Sequence, residues 1–528
     1  MPLPSEFHFI GVPGAGKTTA LENTIEYAIN ELGIAPHETR VVTYRASTAM
    51  EIKERLENRF NLSSSDSKEI CSTLHGMATR FYISQLDDSD KTLDFMDGNW
   101  LHWNEFKNQY GHDMRPGGID SPETNSQTST AYTYFRNTGR DMDAVLNRGL
   151  YSDPDHLQKV ADDLEEFKKK KNIIEFNDCL EHAAQENFIP DVRMILIDEA
   201  QDLNPLMTSM IDNFRGHIEY IGLAGDPFQS LYPFYGATSD YLTDFPNEFT
   251  LGETRRLHEE HYDIAKRIIL GNTGYVPPEV KTKGKGGKVF YVTPEEAAER
   301  TFQHVKDNGV FHLCRTNYLC SQVAHNLAEK GIPYFGSLGW RKETVHLFNG
   351  LNKVAEGKAL HYSELKSLQK NTRMFSTHVK LYQIEKIEKE SKTKEGTKNY
   401  RVLMTDAIWN LKAAGAYTLV NDDNKGNIMK AQIKGLLNKG FKRISLSDAA
   451  RVRVMTIHAG KGLEAETVFL YTEIPDTVSK GLKREKTATE EACVWYVGVS
   501  RSLKNLYVVA TPGKQYRIPM PSDGWDVE

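Results

Sequence analysis

An α/β chain with two parallel-sheet units, each interrupted by a mainly helical insertion, is the architecture this sequence predicts. Three observations predict it. At the start a short strand (7–10), a glycine loop and an amphipathic helix follow one another, the helix carrying apolar positions at Leu21, Ile25, Ala28, Ile29 and Leu32. Further on, an apolar run from Met194 to Ile197 reads as a strand buried on both faces. It delivers two adjacent carboxylates, Asp198 and Glu199, to a strand's carboxyl end, where open α/β sheets hold their ligands. Beyond Thr250 a second series of strand-like runs begins, at 310–314, 452–456, 467–471 and 506–510.

Taken in order, the helix after the glycine loop stops at Gly33, and 40–44 reads as the next strand. The pattern then weakens from about 87 to 155, where polar and turn residues cluster at 115–118 and 121–130. That stretch is expected to be an inserted subdomain with a mobile loop, closed by a charged helix at 156–171 whose last lysines, Lys168 to Lys171, form a solvated end. The sheet resumes at 192–197 and 218–224. A lysine-rich helical stretch containing 384–398 interrupts the second series. The expected division is therefore a first lobe of 1–86 and 172–250, an insertion of 87–171, a second lobe of 251–343 and 443–515, a helical insertion of 344–442, and a tail of 516–528.

With 528 residues, the chain exceeds one hydrophobic core. Its 39% hydrophobic and 26% charged content is that of a soluble globular protein, and no segment approaches the ~20 apolar residues of a membrane span. The N-terminus lacks the basic and apolar regions of a signal peptide, so a cytoplasmic, nucleoid-associated location is expected. Five scattered cysteines, never spaced C-x-x-C, argue against a disulfide framework or a zinc site. A net charge of −7 excludes indiscriminate coating of nucleic acid, though not a local basic groove.

The chemistry lies in three loops. Gly11, Val12, Pro13, Gly14, Ala15, Gly16, Lys17 and Thr18 form a phosphate loop between strand and helix, whose backbone N–H groups face phosphates. Lys17 would reach the β and γ phosphates and the Thr18 hydroxyl would hold Mg²⁺. Asp198 would share that cation, while Glu199 deprotonates the attacking water. In the loop 225–237, Gln229 is placed to touch the γ-phosphate or that water. Tyr232, Phe234 and Tyr235 offer rings on which unpaired bases stack at about 1–3 kcal/mol each. Alone, the phosphate loop leaves a nucleotide kinase or a GTPase open.

These motifs, together with Thr43-Tyr44-Arg45-Ala46, Ser72-Thr73-Leu74-His75-Gly76, the run from Leu251 to Arg256, Thr456 to Glu464, and Tyr496 to Arg501, occur in one order along the chain. In that order they resemble the UvrD/Rep/PcrA family of superfamily 1 helicases. The resemblance implies two RecA-like lobes of the P-loop NTPase class, with ATP and Mg²⁺ in the cleft between them. It implies that Arg256 and Arg501 are arginine fingers and that Glu464 lies near the ribose and phosphates. Tyr44, Arg45, Thr73, His75, Thr456 and His458 would then line the strand-binding groove. The implied partners are single-stranded DNA and single/double-strand junctions, with 3′→5′ travel and replication or repair proteins as further partners.

Some positions depart from the family pattern. Thr19 and Arg255 stand where the family has the arginine and tyrosine that sandwich adenine, and only ten residues precede the phosphate loop. Looser base selectivity is expected, with Arg255 stacking on the purine. Tyr235 replaces an arginine and Val42 an aromatic residue. The short insertions suit a compact translocase with modest unwinding, and no nuclease domain is expected after Thr511. The expected activity is ATP-driven movement on single strands coupled to unwinding. Its rivals are a translocase that displaces proteins with little unwinding and a non-catalytic, nucleotide-gated DNA-binding module.

Overall fold

A computed structural model of the chain describes residues 2–44, 46–60, 70–87, 93–114, 126–304, 309–336, 342–356, 358, 360–372, 424–439, 443–445 and 451–519. Two compact units emerge. The first is built mainly from Met1–Gly286 and Lys480–Ser500, the second from Gly287–Ser479 and Arg501–Ile518. Among the described residues no helix is long and apolar enough to cross a membrane.

In the first unit the strands are β1 (Glu6–Ile10), β2 (Thr39–Thr43), β3 (Cys71–Thr73), β4 (Asp94–Phe95), β5 (Ile173–Ile174), β6 (Met194–Asp198), β7 (Tyr220–Gly225) and β8 (Glu248–Thr250). Six of them form a parallel sheet in the order β3-β2-β6-β7-β1-β8. The all-buried pattern of β6 follows from its central place between β2 and β7. Register then does the positioning. Ile10 pairs with Gly225 and Thr43 with Asp198, so the phosphate loop, the acidic pair and the loop after β7 leave the sheet at one edge.

The insertion is helical, with a two-stranded β4–β5 ladder at its base. Its helix Gln127–Asn137 starts on a Ser126 cap, so the end of the expected turn cluster is helical instead; 115–125 lies outside the described residues. Lys168 corrects a second expectation. It is buried, not solvated, and its Nζ reaches Glu175 at 3.0 Å and Asp178 at 2.7 Å. Beside it Arg136, also buried, meets Glu175, Asp178 and Glu181 at 2.6–2.9 Å. The sequence pattern hid this because a lysine run at a helix end normally faces water.

The second unit carries β9 (Lys288–Val292), β10 (Val310–Cys314), β11 (Phe335–Gly336), β12 (Val452–Thr456), β13 (Ala465–Tyr471) and β14 (Ser502–Val509), all parallel, in the order β11-β12-β10-β13-β14-β9. Residues 251–286 and the helix Glu485–Val499, read from sequence with the second lobe, group here with the first unit, where Glu485–Val499 packs on the helix Glu259–Thr273. The stretch 384–398 lies outside the described residues. All five cysteines are free and buried.

Within β10, His312 is fully buried and stacked on Phe469 at 4.7 Å. Thr301 gives its hydroxyl proton to Ala297, so His312 Nε2–H donates to Thr301 Oγ1 (3.2 Å) and Nδ1 accepts from the Tyr471 hydroxyl (3.1 Å). Both nitrogens are used by a neutral ring, and burial pushes its pKa down to about 3. The unfolded chain therefore takes up a proton below pH ~6.5 that the folded unit refuses. The second unit should lose about 1.4 kcal/mol of stability per pH unit between roughly 6.5 and 3 on this account alone. Urea unfolding across that range checks it: His312→Phe should flatten the acid slope by one proton, and an unchanged slope would refute the assignment.

Candidate functional site

At the sheet edge of the first unit, Lys17 opens the helix Lys17–Glu31 and turns its ammonium back onto the loop. It donates to the carbonyl of Gly11 at 2.8 Å and to that of Val12 at 3.5 Å. Burial depresses its pKa, and Asp226, Glu199 and Asp198 oppose the shift. Asp226, buried in turn, is pushed up by desolvation and held back first by Lys17. This carboxylate, to which the sequence reading gave no role, organises its own loop. It accepts from Gln229 Nε2 (2.8 Å), the Phe228 N–H (3.1 Å) and the Tyr496 hydroxyl (3.2 Å), while its own N–H donates to Gln201 (3.1 Å). A Gly-Asp-Pro turn directly after a buried strand was the available signal.

The acidic pair is shaped by its backbone. Glu199 adopts φ 57°, ψ 38°, left-handed values that cost a non-glycine residue about 1–3 kcal/mol and that collect at functional sites. Its N–H donates to Asp198 Oδ1 at 2.9 Å, and its carboxylate accepts from the Gln201 amide. The two carboxylates are thereby turned apart in role. Asp198 faces the loop, accepting from the Thr18 hydroxyl at 2.9 Å, and burial, reinforced by Glu199, pushes its pKa up to about 6.

An oxygen pair of this kind, one hydroxyl touching one buried carboxylate, fits a Mg²⁺ ion whose remaining ligands are phosphate oxygens and water. Among the described residues no cluster of three or more His, Cys, Asp or Glu could hold a metal by itself.

The stretch after β8 clasps the phosphate loop from the other side. Leu251 N–H donates to Ile10 (2.8 Å), the Thr254 hydroxyl to Pro13 (2.7 Å) and Arg255 N–H to Gly14 (3.1 Å). Arg256 consequently lies near enough to Lys17 to lower its pKa, whereas the Arg255 side chain is exposed. On the helix side, Thr19 accepts from Arg55 Nη2 at 3.1 Å, with Arg55 also paired to Glu22. Sequence reading missed Arg55, which lies 36 residues from Thr19.

Four of the expected strand contacts meet elsewhere on this unit. Tyr44, Thr73, His75 and Tyr235 line a cavity of about 510 Å³, together with Phe176 and Trp103. The aromatic loop does not present open platforms. Tyr232 is fully buried and stacked on Tyr44 at 5.6 Å, Tyr235 is buried, and Phe234 is half-buried at 4.5 Å from Tyr235. The rings satisfy one another, because three aromatics in a short loop bury more area by clustering than by facing water. Arg45 lies outside the described residues. In the second unit Thr456 and His458 are buried, Glu464 is exposed, and Arg501 is buried and donates to the Leu463 carbonyl at 3.2 Å.

The sequence matches two family profiles: the UvrD/REP helicase N-terminal domain over residues 3–250 and the UvrD-like helicase C-terminal domain over residues 163–512. The chain belongs to the UvrD/REP helicase family. Among individual UvrD-like relatives, the putative ATP-dependent DNA helicase YjcD of Bacillus subtilis is 22% identical over 94% of this chain and 75% of its own length. The ATP-dependent DNA helicases srs2 of Schizosaccharomyces pombe and UvrD1 of Mycobacterium tuberculosis are each 24% identical over 61% of this chain, which spans 41% and 46% of their lengths. The two parallel sheets are those of a UvrD-like helicase with two RecA-like lobes.

Gly14 offers a direct test of the loop. It sits at φ +75°, and a Cβ there would come within 2.2 Å of Arg256 Cβ. Gly14→Ala should weaken nucleotide binding at least about tenfold, close to one strained backbone position. Gly252→Ala, where a Cβ meets open space, should leave binding unchanged. Fluorescent-nucleotide titration reads both, and equal affinities would refute the clasp.

Proposed function

We propose that this chain is an ATP- and Mg²⁺-dependent DNA helicase or translocase that moves along single-stranded DNA, in the 3′→5′ direction. One observation carries the reading. The loop that begins at Asp226, beside Lys17, runs on to Tyr232 and Tyr235, beside Tyr44 and the cavity that holds His75. A change at the phosphates therefore has a short covalent route to the strand groove. The names of the relatives, ATP-dependent DNA helicases, support the same reading.

In this reading Lys17 neutralises the β and γ phosphates as its contacts to the Gly11 and Val12 carbonyls give way. Thr18 and Asp198 would hold a Mg²⁺ ion, which would supply charge screening at the phosphates when bound. Glu199 takes the proton of the attacking water, and Gln229 orients that water from its place on Asp226. Arg256 and Arg501 stabilise charge developing on the transferred phosphoryl group, with Glu464 near the ribose. Tyr44, Arg45, Thr73, His75, Phe234, Thr456 and His458 contact the strand. Tyr232 and Tyr235 join them once the stacked rings part. The division into lobes of 1–86 with 172–250 and 251–343 with 443–515, separated by insertions, remains part of the same proposal, as does service in replication, repair or recombination.

Displacement of a labelled oligonucleotide from 3′-tailed, 5′-tailed and blunt duplexes tests activity and direction together. Release is expected from the 3′-tailed duplex alone, with ATP turnover stimulated by single strands. Lys17→Ala and Glu199→Gln should each lower turnover at least about a hundredfold. Unstimulated turnover with no displacement would sink the proposal; stimulated turnover with negligible displacement would favour the translocase that strips proteins.

Base selectivity is the second test. Thr19 is engaged by Arg55, which leaves the exposed Arg255 to stack on the purine from one side alone. GTP should be hydrolysed with kcat/KM within about tenfold of ATP, because an exposed guanidinium stacks on either purine without reading its polar edge. Strict preference for ATP would refute looser selection.

A further inference from the structure

Three buried or half-buried side chains, from three different helices, form a one-way hydrogen-bond chain that ends on the aromatic loop. Asn137, the last residue of the insertion helix Gln127–Asn137, donates from Nδ2 to the Tyr235 carbonyl at 2.7 Å. Its Oδ1 accepts from Asn177 Nδ2 at 2.9 Å. Asn177 belongs to the helix Phe176–Gln185, and its Oδ1 lies 3.3 Å from His75 Nε2. With both amide nitrogens committed as donors, only the Nε2–H of His75 completes the chain, which fixes that ring's tautomer. Burial lowers the His75 pKa, which favours the neutral ring with its proton on Nε2. Flipping either amide would place oxygen against oxygen.

Packing gives the chain its stiffness. Gly236 lies at φ +86°, and a Cβ there would sit 3.3 Å from Thr138 Cγ2 and 3.4 Å from Asn137 Cβ. The turn after Tyr235 is thus pressed against the end of the insertion helix. Asn137 is 6% exposed, so a lost partner there is not replaced by water without cost.

We propose that Asn137 and Asn177 are positioning residues that make the aromatic loop and His75 one unit, referenced to the insertion. The inference rests on the strand-tracking reading above. Binding of a single strand must move Tyr232 off Tyr44, and the relay sets where the loop returns. Neither asparagine touches the phosphate site, so the DNA-free reaction does not depend on them. Their loss shows only in the response to the strand.

The full chain, with a 20-nucleotide oligo-dT as probe, tests this through ATP turnover as a function of oligonucleotide concentration. Asn137→Ala and Asn177→Ala should each raise the half-activating concentration about tenfold, the worth of one buried hydrogen bond. Asn137→Asp, equal in shape but with an oxygen facing the Tyr235 carbonyl, should do at least as much. The double variant should be no worse than either single one, because breaking a chain twice adds nothing. DNA-free turnover and the KM for ATP should stay near those of the unaltered chain, and the melting temperature should fall by no more than about a few degrees, the cost of one buried hydrogen bond.

Half-activating concentrations unchanged in Asn137→Ala and Asn137→Asp would overturn the proposal. So would a double variant about a hundredfold weaker, which marks two independent contacts. A fall in DNA-free turnover that parallels the lost response would also overturn it, marking a fold defect instead. If the unaltered chain is not stimulated by oligo-dT at all, the failure belongs to the strand-tracking reading and not to the relay.

Discussion

A half-buried lysine with three carboxylates around its ammonium is the constraint on which the first unit turns. Lys17 is held by two loop carbonyls and balanced by Asp226, Glu199 and Asp198, all pulling against the cost of removing its charge from water. Asp198 and Glu199 reach it from the end of β6, and Asp226 from the end of β7. The parallel register of β1, β6 and β7 is therefore the condition for the charges to meet. A polyphosphate in the loop would alter that balance at once, because it brings negative charge to a point already crowded with it. Under the proposed function a cation held by Thr18 and Asp198 would enter the same balance.

From this cluster the loop 226–237 carries the consequence outward. It is tied at its start by Asp226, midway by the Tyr232–Tyr44 stack and at its end by the Tyr235 carbonyl. Few residues separate the first anchor from the last, so a shift at one has little slack in which to disappear. Coupling of this kind is a property of packed, two-state contacts and needs no long pathway.

Much of this was legible in sequence where the pattern is dense. Long apolar runs such as Met194 to Ile197 and 310–314 announced central strands, and the glycine loop announced itself by its strand–loop–helix setting. What stayed hidden has physical causes. β3, β8 and β11 are short, and with β9 they lie at sheet edges, where the apolar signal of double burial fades. Lys168 looked solvated because its partners Glu175 and Asp178 follow the turn that ends its helix, not the helix itself. Asp226 and Asn137 carry no periodicity; only the fold reveals what they face. The rings of Tyr232 and Tyr235 were read as platforms because sequence does not report which neighbours, such as Tyr44, will cover them.

The ion cluster beneath the insertion has a bearing on how the molecule meets a polyanion. Arg136, Arg140 and Lys168 face Glu165, Glu175, Asp178 and Glu181, three cations against four anions. Those basic groups are already neutralised within the protein and release no counterions when a phosphodiester backbone approaches. Under the proposed function, the salt sensitivity of strand binding should accordingly be shallower than a count of arginines and lysines would suggest.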